Sequence, residues 1–175
     1  MSAEGRRVSR LEVTQALHAS CVVIGESGIL VRGPSGSGKS SFAAVLLSQA
    51  RGRGVFAAWV ADDRVLVRSR GRRLIAAPHP AIAGRFEARG LGILRAPHER
   101  SAVLRLVVDL EEAVERLPAA VALSTTVAGV ALRRLPLVAG RVGLYEASLV
   151  LDLIETRQES ESRPTSSLRV GAVGI

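Results

Sequence analysis

Residues 33–40 read Gly33-Pro34-Ser35-Gly36-Ser37-Gly38-Lys39-Ser40, a full match to G-x-x-x-x-G-K-[ST]. The chemistry such a loop supports is phosphate binding. Glycines let consecutive backbone N–H groups turn inward as an anion nest, and the helix expected to begin here adds its positive end. Lys39 is placed to reach the β- and γ-phosphates, and the Ser40 hydroxyl to ligate Mg²⁺. The nucleotide-binding stretch is therefore read as Gly33, Pro34, Ser35, Gly36, Ser37, Gly38, Lys39, Ser40 and Ser41.

Asp62 and Asp63 follow the apolar run Val55–Ala61. Acids at the end of a strand beside a phosphate loop hold metal or take a proton in nucleotide enzymes. Successive side chains of an extended chain face opposite sides, so the two acids are not equivalent unless the backbone turns there. A hydroxyl acceptor attacking phosphorus must lose its proton, and either aspartate is a candidate to accept it.

These residues need a scaffold, and the sequence outlines one. Leu17–Ile24 and Ile29–Arg32 are apolar runs around the turn Gly25-Glu26-Ser27-Gly28, which predicts a hairpin. Lys39–Gln49 has helical spacing and stops near Gly52. Val55–Ala61 reads as a buried strand, and Val65–Ser69 with Arg72–Ala77 as a second hairpin. Pro78–Gly84 is irregular or helical, residues 88–92 form a glycine-rich turn, and Ala102–Leu110 is a strand. Glu111–Leu117 reads as a short helix stopped by Pro118, and Val142–Ile154 as a strand running into a helix. The expected division is a tail over 1–9, one catalytic domain over 10–155, and a mobile tail over 156–175.

Composition narrows the class. A hydrophobic content of 47% in 175 residues suits one folded domain, and one cysteine excludes a disulfide framework. No signal peptide is recognised. The longest uncharged run, Leu117–Leu132, is too short and too polar to cross a bilayer. A cytoplasmic protein with no membrane partner is expected. The net charge of +8 invites a nucleic-acid reading. Against it, arginine is spread through the chain and few aromatics accompany it. Residues 1–105 carry 17 basic and 7 acidic groups (+10), and residues 106–175 carry 7 and 9 (−2), so the basic part should attract phosphates or an acidic partner. Of 24 basic residues 23 are arginine; the single lysine is Lys39. A compact ammonium fits between phosphate oxygens where a planar guanidinium does not.

Leu17-His18, the first hairpin, the phosphate loop, Val60-Ala61-Asp62-Asp63 and Glu87-Ala88-Arg89-Gly90-Leu91-Gly92-Ile93 occur in one order. Together they resemble the catalytic domain of HPr serine kinase/phosphorylase, in the short form found in α-proteobacteria. The resemblance spans about residues 11–150. It implies an α/β fold with a P-loop-containing core and a mixed β-sheet, similar to the phosphoenolpyruvate carboxykinase-type catalytic domain. It also implies a phosphotransferase that uses ATP and Mg²⁺ to phosphorylate a serine of an HPr-like phosphocarrier protein. The reverse reaction is phosphorolysis, consuming phosphate and giving pyrophosphate. By the same resemblance Asp62 is the catalytic base, Asp63 its partner near metal, and Glu87 a metal-site carboxylate. Arg89 is the arginine of the signature turn, and His18 lies close to the attacking oxygen. Arg141 resembles a downstream active-site arginine, although the usual preceding proline is absent. Bacterial relatives assemble as hexamers, so a homo-oligomer is implied as well. Two other readings remain beside this one: a small-metabolite kinase, for whose arginine lid Arg68–Arg73 could be mistaken although the strand pattern there argues for a hairpin, and a nucleotide sensor without turnover.

Overall fold

The structure, a computed structural model, describes residues 14–88 and 90–162. Its first half is the expected strand–loop–helix. Strands β1 (Thr14–Ile24) and β2 (Ser27–Arg32) form the predicted antiparallel hairpin, in register from Ala19 opposite Arg32 to Ile24 opposite Ser27. The phosphate loop leads into α1 (Lys39–Gly52). Its buried residues Phe42, Ala43, Leu46, Leu47 and Ala50 recur at helical spacing and face the sheet. Burying large side chains such as Phe42 and Leu46 makes each worth about 2–5 kcal/mol against alanine.

Next come β3 (Ala57–Ala61), the hairpin β4 (Arg64–Arg70) and β5 (Arg73–Pro78), and a 3-10 turn at Pro80–Ile82. A separate two-stranded ribbon, β6 (Arg85–Ala88) with β7 (Gly92–Arg95), flanks the expected glycine-rich turn. Strand β8 (Ala102–Glu111) runs parallel to β2. β9 (Ser124–Val127) and β10 (Val130–Val138) follow, and α2 (Leu144–Ser162) closes the described chain.

The sheet is mixed and eight-stranded. β2, β8 and β10 are parallel to one another in the pairs β2–β8 and β8–β10, and the other pairings are antiparallel. The path β2–β1–β4–β5–β8 returns to β2, so part of the sheet closes on itself. One apolar cluster fills that enclosure, including Cys21, Leu30, Val65, Leu74 and Leu104. A second lies between the sheet and the two helices, including Val22, Phe42, Leu46, Val108 and Leu151. Arg53 ties α1 to α2 through Asp152 at 2.8 Å and Glu155 at 3.3 Å.

Several local expectations fail. Glu111 ends β8, and no helix covers 111–117; a 3-10 turn lies later, at Ala120–Leu123. Val142–Ile154 holds no strand, because the helix begins directly at Leu144. That helix runs to Ser162, seven residues past the boundary expected at 155. The expected tail over 1–9 and residues 163–175 lie outside the described residues. No helix among the described residues is long and apolar enough to cross a membrane.

Candidate active site

β2 delivers the chain to Gly33 beside β8. A Cβ at Gly33 would come within 2.7 Å of Ser37 Oγ and 2.9 Å of Leu110 Cβ, so only glycine lets the loop start this close to its neighbour. Gly38 takes a left-handed conformation (φ 96°) as α1 begins. No side chain caps that helix and no acid occupies its first turn. The first-turn N–H groups are therefore free of any protein anion, the condition under which a helix start binds phosphate.

A cavity of about 130 Å³ lies at this loop, lined by His18, Ser35, Gly36, Gly38, Lys39, Ser40, Ser41, Asp62, Asp63 and Glu87. Strand β1, the glycine-rich loop, α1, the β3–β4 turn and β6 bring those residues together. Lys39 Nζ donates to Gly33 O at 3.1 Å and Pro34 O at 2.9 Å, and contacts His18 Nε2 at 3.1 Å. An ammonium only donates, so His18 Nε2 accepts and its proton sits on Nδ1. That nitrogen is 2.9 Å from the Asp63 carboxylate. Burial pulls the Lys39 ammonium below the ordinary lysine value, while Asp63 and Asp62 pull the other way.

The backbone turns between the paired aspartates, so the extended-chain argument does not apply to them, and they are inequivalent for a different reason, their burial. Asp63 has φ 66°, and Arg64 N–H bonds Asp62 O at 2.8 Å across a three-residue turn. Asp62 is 4% exposed and Asp63 lies at the surface. Asp62 Oδ1 accepts from Ser20 Oγ at 2.5 Å and from Ser40 Oγ at 2.8 Å, and Oδ2 accepts from the Glu87 N–H at 3.2 Å. The phosphate-loop hydroxyl and the buried acid thus meet directly. Phe86 stacks on Trp59 with centroids 5.2 Å apart, which docks β6 against β3 and sets Glu87 at the cavity.

Among the expected site residues, the structure brings His18, Lys39, Ser40, Asp62, Asp63 and Glu87 to one cavity. Gly33, Pro34 and Ser37 shape the loop without lining the cavity, and Ser37 Oγ is buried with no partner. Arg141 lies in the turn after β10, outside the lining. Arg89 lies outside the described residues. Arg68–Arg73 form the β4–β5 hairpin and stand away from the cavity.

The residues present suit a hard divalent cation. Ser40 Oγ, Asp63 and Glu87 offer oxygen donors at the cavity, and Mg²⁺ ordinarily takes one or two carboxylates and leaves the rest to phosphate and water. No preformed cluster of three or more His, Cys, Asp or Glu is found among the described residues, as that mode of binding requires none.

Two parts of the site were invisible in the sequence. Ser20 carries no motif, yet it is fully buried against Asp62. Asp109, on β8 opposite Arg32, accepts a two-bond grip from Arg32 at 2.7 and 2.8 Å and a third bond from Arg134. Arg134 also reaches Glu111 and the Ala122 carbonyl. Burial alone would raise the Asp109 carboxyl, but the two arginines outweigh it and hold it below the usual carboxylate range. This cluster pins the end of β2 to β8 and β10 immediately before the phosphate loop begins.

The family model described as HPr Serine kinase C-terminal domain matches residues 9–120. An HPr kinase/phosphorylase of Chlorobium phaeobacteroides (strain BS1) is 35% identical over 114 residues, covering 60% of this chain and 32% of that protein. An HPr kinase/phosphorylase of Mycoplasma mycoides subsp. mycoides SC is 30% identical over 76 residues, 43% of this chain and 22% of that protein. The matched part thus spans about a third of the first relative's length and less of the second's. Among solved structures, the Hpr(Ser) kinase/phosphatase from Coxiella burnetii superposes with a TM-score of 0.67 at 21% identity. That match covers 82% of this chain and 99% of the other, and it shows a shared mixed α/β fold.

Proposed function

The chain belongs to the HPr serine kinase C-terminal domain family, and from that premise we propose that it is an ATP- and Mg²⁺-dependent phosphotransferase acting on a serine of an HPr-like phosphocarrier protein in the cytoplasm. Phosphorolysis, with phosphate as co-substrate and pyrophosphate as product, is its reverse activity. The observation that carries the reading is the contact of Ser40 Oγ with Asp62 at 2.8 Å. It puts the loop that would hold the triphosphate against a buried carboxylate able to take a proton.

In this reading the open N–H groups of the loop and α1 bind the β- and γ-phosphates, and Lys39 leaves its loop carbonyls for phosphate oxygens. Ser40, Asp63 and Glu87 would hold Mg²⁺, which when bound would supply positive charge to offset that of the phosphates. The acceptor oxygen forms a bond to the γ-phosphorus, the bridging P–O bond to ADP breaks, and the serine proton passes to Asp62. His18, anchored by Asp63 and facing Lys39, orders the space between the base and the phosphates. Arg89 and Arg141 are assigned to charge on the transferring group, as the family resemblance implies. The carboxykinase-like kinship of the core and assembly into a homo-oligomer belong to the same proposal.

γ-labelled ATP incubated with the protein, with and without purified HPr, tests it. Label on an HPr serine supports the assignment. Label on a small hydroxyl metabolite, or nucleotide bound with none transferred, rejects it. Asp62→Asn is expected to abolish transfer while nucleotide binding survives.

A further inference from the structure

Arg72, Arg73, Arg105 and Arg133 line a single cleft of about 380 Å³ away from the phosphate loop, and no acidic residue shares its lining. None of the four forms an ion pair among the described residues, whereas Arg32, Arg53 and Arg134 are all engaged by carboxylates. Four like charges turned to one concavity repel one another at a cost that an anion would relieve.

The cleft arises from the way β8 changes partners. On one edge β5 pairs with its start, Ile75 opposite Val103, and β10 takes over from Leu106, opposite Arg133. On the other edge the register with β2 slips, so that Leu104 faces Gly28 and Leu106 faces Ile29. Arg105 is therefore without a partner residue on either side. Such bulges re-aim a side chain. Here the bulged residue is a half-buried arginine, and the β4–β5 turn and the start of β10 bring three more. β2 and β8 run parallel from this end towards Gly33, so the cleft lies at the opposite end of the sheet from the candidate active site.

We infer that this cleft is a second anion site, taking a compact ligand with two adjacent phosphate groups. Its volume is that of small-molecule clefts, about 300–1,000 Å³. Guanidinium forks match phosphate oxygens two at a time, which favours such a ligand over an extended acidic peptide. The cleft shares no lining residue with the candidate active site.

The test uses the full chain carrying Lys39→Ala, which weakens competing anion binding at the phosphate loop, with inorganic pyrophosphate as the probe in calorimetry. Binding is expected, and Arg105→Ala with Arg133→Ala should weaken it by about tenfold or more. Arg68→Ala with Arg70→Ala, exposed arginines outside the lining, should leave it unchanged. If the Arg105 variant unfolds by circular dichroism, Arg72→Glu with Arg73→Glu, at an exposed turn, carries the same expectation. No pyrophosphate binding, equal loss in the Arg68/Arg70 control, or tighter binding of a hexaglutamate peptide would each overturn the inference.

Discussion

Ser20 Oγ donates to Asp62 Oδ1 across 2.5 Å, from a position with no exposure to solvent. The hydroxyl makes no other side-chain bond among the described residues, and it holds one oxygen of the proposed base. Ser20→Ala should lower turnover by about tenfold, the loss of roughly 1.4 kcal/mol of orientation, with little change in the Michaelis constant for ATP. Steady-state kinetics check this; a rise in the Michaelis constant at unchanged turnover would assign Ser20 a binding role instead.

Lys39 is the position where an arginine-rich chain keeps its one lysine. Lys39→Ala and Lys39→Arg are both expected to reduce transfer at least about a hundredfold. The arginine keeps the charge but its planar fork cannot fold between the Gly33 and Pro34 carbonyls. Calorimetric titration with nucleotide and labelled-phosphate transfer measure the two effects separately.

Asp109 links folding to pH. Its folded value lies below its unfolded one, so its stabilisation is present above the unfolded value of about 3.9 and is lost as pH falls through the folded value. Urea unfolding should show stability dropping below about pH 4. Asp109→Asn should remove that contribution and cost about 3 kcal/mol at neutral pH, because Arg32 and Arg134 then lose their shared carboxylate.

Cys21 is fully buried in the enclosed apolar cluster, and burial pushes its thiol far above the ordinary range. It should resist thiol reagents in the native protein and react at the rate of global unfolding. Ellman assay with and without denaturant distinguishes this from fast native labelling, which would mean local opening of β1.

The phosphate loop was legible because its chemistry is contiguous: eight residues carry the turn, the nest and the cation together. The first hairpin, α1, the β4–β5 hairpin and β8 were legible because each shows its own period or punctuation. β9 and β10 were not. β10 is half-exposed along most of its length and carries Arg133, Arg134 and Pro136, residues that read as loop. Pro136 is tolerated because β9 pairs only as far as Arg133, leaving β10 an edge beyond that point. Helix α2 outran its expected end because Thr156, Gln158 and the acidic residues after them look like a tail in composition, and composition does not register helix continuation.

By itself the sequence determined where a glycine-rich loop ending in lysine and serine would lead into a helix, and in what order the candidate side chains come. The tertiary structure alone decided which of two adjacent acids is buried, that a serine 42 positions away would grip it, and that Arg32 and Asp109, 77 apart, would pin the loop's root. The division has a physical cause. Local motifs depend on backbone conformation over a few residues, whereas burial, partner choice and the clefts between strands depend on which distant segments the sheet brings side by side.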